Sequence, residues 1–442
     1  MRTNKFALGL LLAGLMFPAT VRSETSVIAG WGNQLYPSYL FATATISRDD
    51  FEEENVLGDP LGLIGVEIEA QEDEQSVTVK VECDEFLEPT EFTCELAEEG
   101  EVYEIRPTIR YRYARLSDCH QATPATLSIR VQVGDEAPEV HQRVVLFRSI
   151  NDCPFVYVDG EDEIDTSYTY AAYVNEDHPF VDKLLREALD IGIVNEFMGY
   201  QGESPESVMR QVYALWDLMV SRGVKYSDIT TTSTRSGIVG SQHIRLIEDT
   251  VNNSQANCVD GSVLFVSMLR KIGINAGLVL EPEHCFVYFT TGDGAENIYG
   301  LETTAMGYQV KTPKRVFKVL KNAIDEEDRY DESWPNFVYA VTVATKKLRE
   351  ADEREENDEG MELTIINVGA HRENGFLAIP CRTHEEFVGF NFVVNEDDEE
   401  DGEEDWDEDD EQEEDEWDDE DEEEDEEWSD DDEEDEEEDW DA

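Results

Sequence analysis

Basic residues are scarce in this chain. Its 442 residues include 33 Lys and Arg against 106 Asp and Glu, a formal net charge of −73. Phosphate-rich partners would be repelled, which argues against nucleic acid and anionic membrane surfaces. Residues 396–442 contain 39 acids and no base; the remainder still carries 67 acids against 33 bases. A cationic protein, a divalent ion or a salty medium would suit such a surface. Long apolar runs are also lacking. Phe6 to Phe17 spans about a dozen residues, too short to cross a bilayer. Arg2 and Lys5 precede it, and Val21 and Ser23 occupy positions suited to cleavage, so residues 1–23 read as a secretion signal. No Cys follows that run, so a lipoprotein anchor is not expected. The sequence has no CxxC pair, no GxSxG elbow and no EF-hand spacing, which argues against paired-thiol zinc sites, Ser hydrolases of that type and dedicated calcium loops. The expectation is a secreted or periplasmic protein with no membrane insertion after signal cleavage.

Seven cysteines are present. Cys83, Cys94, Cys119 and Cys153 cluster early and allow two disulfides in three pairings. An oxidising compartment would permit them. An odd total leaves at least one thiol unpaired within the chain, and nucleophilic catalysis is one reason to keep a free thiol.

The chain divides by pattern. Residues 24–155 are β-rich: Tyr36 to Ile46, Gly65 to Ala70, Ser76 to Glu82, Val102 to Arg112, Ala125 to Val133 and Arg143 to Arg148 read as strands of a sandwich-like domain. A helix is expected around Phe180 to Leu189. A second starts with Ser204 as N-cap and Pro205 at its first position, and stops at Gly223. Its apolar stripe includes Trp216, which reads as core. A third begins near Cys258 and ends at Gly273. Strands at 276–280, 285–290 and 297–302 follow, then helices at 313–324 and 335–349. Residues 350–359 read as a solvated loop or frayed helix end, with strands at 361–368 and 386–394 last. The segment 156–394 is therefore expected to be α+β. The tail, 395–442, cannot bury a core and reads as disordered. Trp406, Trp417, Trp428 and Trp440 recur there at spacings of 11, 11 and 12. They could anchor a basic protein surface, and the carboxylates could load calcium or other divalent cations weakly.

One constellation carries chemistry. Cys258, after Asn257, opens a helix, where unpaired N–H groups and the helix dipole favour a thiolate and could hold an oxyanion. His284 follows the turn Glu281-Pro282-Glu283 and can serve as base across the sheet–helix seam. Glu302 ends the next strand and can orient the imidazole. Asp293, in a Gly-rich loop, is the second choice for that acid. Gln242 and Gln255 are candidates for a side-chain oxyanion donor. Cys285, adjacent to His284 in a strand, should point the other way and be core.

Residues from about Ser204 to Pro380 resemble the bacterial transglutaminase-like domains of the papain-like superfamily. The matching stretches are the helix through Trp216 with Gly223-Val224-Lys225-Tyr226-Ser227, then Gln242-His243-Ile244-Arg245-Leu246 ahead of Asn257-Cys258-Val259-Asp260-Gly261. Further on lie Gly273 to Leu280, His284-Cys285-Phe286-Val287, Glu302-Thr303-Thr304 and Ile366-Asn367-Val368 with Arg372 and Gly375. The resemblance implies a papain-like α+β core and a triad of Cys258, His284 and Glu302 acting through a thioester on protein or peptide amides, with no cofactor required. The chain departs from the family pattern in having Glu302 where Asp is common and Asn257 where Gly is usual. Water as acceptor would make the protein a peptidase, amidase or deamidase; an amine would make it a cross-linker. The rival reading is an idle scaffold whose acidic tail captures cations or basic proteins.

Overall fold

The computed structural model describes residues 25–390, apart from 52, 161, 228–236, 293, 295–296, 309, 311–315, 357–362 and 383. The signal segment, Asp293 and the tail after 394 lie outside the described residues. The described residues, up to Phe390, fall in one compact unit. The described fold is mixed α+β with several sheets. Among the described residues no helix is long and apolar enough to cross a membrane.

The first part contains two sheets. Five strands run in the order Gln34–Leu35, Glu139–Phe147, Thr123–Val133, Gln75–Glu82, Thr90–Leu96. Four more run Thr25–Ala29, Ile64–Glu69, Val102–Arg106, Val56–Gly58. Alternation explains their burial: Val77, Val79 and Val81 are buried while Ser76 is exposed, as period-2 strands require. Tyr36 to Ile46, expected as a strand, is instead helical over Pro37–Ala42. All six of these residues are buried, so no polar face marks a helical period, and Pro37 starts the turn. The strand Asp152–Asp159 crosses the boundary expected at residue 155 and pairs with Val239–His243. All seven cysteines are free, so the disulfides expected among Cys83, Cys94, Cys119 and Cys153 are not formed. The Cys119 thiol sits 3.3 Å from the Arg148 carbonyl, and the Cys94 thiol faces the Val77 carbonyl.

The second part centres on a four-stranded antiparallel sheet, ordered Ile298–Leu301, His284–Thr290, Ala276–Glu281, Thr364–Ile366. Helix Cys258–Lys271 packs on the His284 strand, and helix Trp334–Glu356 packs on the Ile298 strand. Helix Pro205–Ser221 has its expected start, with Ser204 accepting from the Ser207 N–H at 3.1 Å. Trp216 is fully buried between Phe265 and Phe337 and donates to Asn336 Oδ1 at 2.9 Å. Truncating such a ring typically costs about 3–5 kcal/mol, so this seam holds the sheet's helices together.

Near the C-terminus one expectation is resolved and one differs. Of the two readings for 350–359, loop or frayed helix end, the described part follows the second: the helix continues as far as Glu356. No strand forms over 386–390, the described part of the expected 386–394 strand. The chain there is an extended strap held by side chains: Asn252 takes the Val388 N–H at 3.0 Å and gives to the Glu386 carbonyl at 2.9 Å. An Asn amide can satisfy a backbone as a neighbouring strand would, so the apolar alternation found a partner outside any sheet.

Candidate active site

The nucleophile candidate sits at the first position of helix Cys258–Lys271. Its helix start is a capping box. Asn257 Oδ1 accepts the Asp260 N–H at 2.8 Å, and Asp260 Oδ2 accepts the Asn257 N–H at 3.1 Å. The box uses the N–H of residue 260. The N–H groups of Cys258 and Val259 carry no partner among the described residues, so they are the donors left at this helix start. Cys258 is half-buried.

His284 opens its strand directly after the turn at Pro282-Glu283, with Glu281 paired across to it. Glu283 has φ +63°, a left-handed conformation that costs a non-glycine residue about 1–2 kcal/mol. Glu283→Gly is therefore expected to raise stability by roughly 0.5–1 kcal/mol. A melting curve that stays level or falls would show that the turn carries no such strain.

Glu302 follows the strand Ile298–Leu301. Gly300 lets that strand press against helix Trp334–Glu356: a Cβ there would stand 2.5 Å from the Ala344 carbonyl carbon. The Glu302 N–H donates to the Ala340 carbonyl at 3.1 Å, which fixes its backbone. Its Oε1 accepts from the Thr304 N–H at 3.1 Å and the Thr304 hydroxyl at 2.6 Å. Its Oε2 lies 2.7 Å from His284 Nε2. With both oxygens held, the carboxylate has one orientation, and it leaves Nδ1 as the ring nitrogen open to the thiol.

The electrostatics follow from this geometry. Burial works against a charged His284 ring, but hydrogen bonds to Cys258 and Glu302, together with their charges, outweigh it and raise the pKa from 6.5 to about 10. Burial likewise pushes Glu302 up, yet His284 and Thr304 hold it below its usual range. The ring side chain is 24% exposed and the carboxylate 8%, so the pair is shielded without being sealed.

The segment after Glu302 also touches the nucleophile helix. The Thr303 hydroxyl lies 3.3 Å from the Cys258 carbonyl. Gly261 allows that approach, since a Cβ there would meet Thr303 Oγ1 at 3.0 Å and Thr303 Cβ at 3.1 Å. Cys285 is buried, and burial drives its thiol well up.

His284 and Glu302 are thus brought together, with Cys258 near enough to act on the ring. Gln242 and Gln255 are not joined to them: Gln242 donates to the His243 carbonyl at 3.2 Å, and Gln255 is exposed on a two-residue strand beside Lys225. Among the described residues no three His, Cys, Asp or Glu side chains form a metal set. No protein-family model matches the chain, and no curated protein matches it.

Sequence reasoning missed Asp260, Thr304 and Arg245 as parts of this site. The Asn257-x-x-Asp260 spacing was a readable capping signal. Thr304 follows Glu302 at a spacing that local side-chain bonds favour. Nothing local marks Arg245, which reaches Asp260 across 15 residues, with Nη1 2.6 Å from Oδ2.

Proposed function

We propose that the chain is a cysteine-dependent amide hydrolase or acyltransferase of the transglutaminase-like kind, exported, with a papain-like core behind a sandwich-like β module. The observation that carries this reading is the His284 ring, held by the Glu302 carboxylate at 2.7 Å and close enough to Cys258 for the thiol to help raise its pKa.

The chemistry proceeds in two halves. The Cys258 sulfur attacks a carboxamide carbon, forming a C–S bond as the carbonyl electrons move to oxygen. The free N–H groups of Cys258 and Val259 can receive that oxyanion. On collapse the C–N bond breaks and the His284 imidazolium gives its proton to the leaving nitrogen. A thioester remains. His284, now neutral, takes a proton from water or an amine as that group attacks, and the C–S bond breaks to restore the thiol. Glu302 stays ionised and keeps the ring's tautomer throughout. Substrates are protein or peptide amides. The acidic tail is the part assigned to a basic protein or to weakly held calcium.

Incubation with a glutamine-containing peptide and an amine dye tests the assignment. Ammonia release without dye means hydrolysis, and dye incorporation means transfer. Neither product, with Cys258 also inert toward an activated acyl ester, sinks the enzyme reading.

A further inference from the structure

Arg245 lies just beyond strand Val239–His243, outside the helix that carries Cys258. Its position is set from the first part of the chain. The Asn151 carbonyl accepts the Ile244 N–H at 2.8 Å, and the Asn151 amide donates to the Ile244 carbonyl at 2.7 Å. Both backbone groups of the residue preceding Arg245 are therefore pinned. Arg245 then holds Asp260 twice: its N–H reaches Oδ1 at 2.8 Å and its Nη1 reaches Oδ2 at 2.6 Å. Oδ2 also accepts the Asn257 N–H. The Asp260 side chain is fully buried, and that of Arg245 is 12% exposed. Arg245 and the helix start at Asn257 converge on one carboxylate, two residues after Cys258.

Helix initiation alone does not require this ion pair. The Asn257 cap already satisfies the residue 260 N–H. A buried ion pair is also a poor source of stability, because desolvation offsets its attraction and apolar replacements are often neutral or better. What it supplies is fixed geometry. The first helical turn holds the sulfur and the two free N–H groups, and Arg245 ties that turn to a strand registered on Asn151. We infer that Arg245 and Asp260 are positioning residues for the nucleophile, and that Asn151 makes the β-rich part of the chain necessary to its reactivity. The inference rests on reading Cys258 as a nucleophile.

The test measures iodoacetamide alkylation of Cys258 across pH in the full chain, with peptide mapping to separate the seven thiols. Arg245→Met combined with Asp260→Asn removes both charges and keeps an amide oxygen near the N–H groups. That double variant is expected to melt close to the parent. Its Cys258 should react at least about tenfold more slowly, since small misplacements are costly at reacting centres. The shape of its pH–rate profile should differ from the parent's. Arg245→Lys, which keeps the charge without the planar fork, should recover part of the rate. Asn151→Ala leaves the ion pair in place and should slow Cys258 in the same direction with smaller amplitude. A parental rate and profile in either the folded double variant or Asn151→Ala overturns the inference. A parental Cys258 no faster than the six other thiols refutes the nucleophile reading itself, and this inference with it.

Discussion

His284→Ala should lower turnover by about 100- to 10,000-fold. The ring is held by the Glu302 carboxylate and influenced by the Cys258 thiol, so its removal takes away the proton donor for the leaving nitrogen and the cation near the sulfur. Residual activity would come from the helix-start N–H groups and binding alone. Thioester formation with an activated acyl ester is the sharper readout, because such a leaving group needs little protonation. There the loss should be smaller than with an amide substrate. Equal losses with both would place the ring's role in ionising sulfur. No loss with either would remove His284 from the chemistry. Circular dichroism should show the fold intact, since the ring is partly exposed at the start of its strand.

Glu302→Gln should cost about 100- to 10,000-fold as well, through orientation rather than proton transfer. The neutral amide can present either an oxygen or an NH2 to His284 Nε2, so the ring is no longer bound to one tautomer. The charge that helps raise the ring to about pKa 10 is also lost, so its titration, followed by NMR of the ring, should move down toward 6.5. The stability consequence has a defined sign. A raised histidine stabilises the fold fully below its ordinary value of 6.5, and this is lost as pH rises through about 10. A lowered carboxylate contributes above its ordinary value and loses this as pH falls through its folded value. The parent should therefore exceed the variant most in the mildly acidic window between those values, with the gap narrowing toward alkaline pH. A gap that widens from neutral toward alkaline pH would contradict a charged His284 paired with Glu302.

Local signals carried well from chain to fold. The Ser204-Pro205 start, the Cys258 helix ending near Gly273 and the hairpin through Pro282-Glu283 all form as their residues imply. Caps, proline and periodicity act over a few residues, so they are readable without a partner. The misreadings have separate causes. Pro37–Ala42 is buried all round and offers no period, while Glu386 to Phe390 has strand-like residues but no strand to pair with. The helix runs on to Glu356 past its apolar stripe because charged residues such as Glu and Arg are good helix formers once a helix is started.

The sequence by itself determined the acidic balance, the residue types and order Cys258, His284, Glu302, and the elements on which they stand. Tertiary structure decided that Glu302 rather than a solvent-facing acid meets the ring, that Thr304 turns its other oxygen away, and that the early cysteines remain apart. It also decided that Arg245, steered by Asn151, grips Asp260. The reason is range. A helix or a turn is chosen by neighbours along the chain, but a hydrogen bond between residues separated by tens of positions exists only after packing has set its distance and angle.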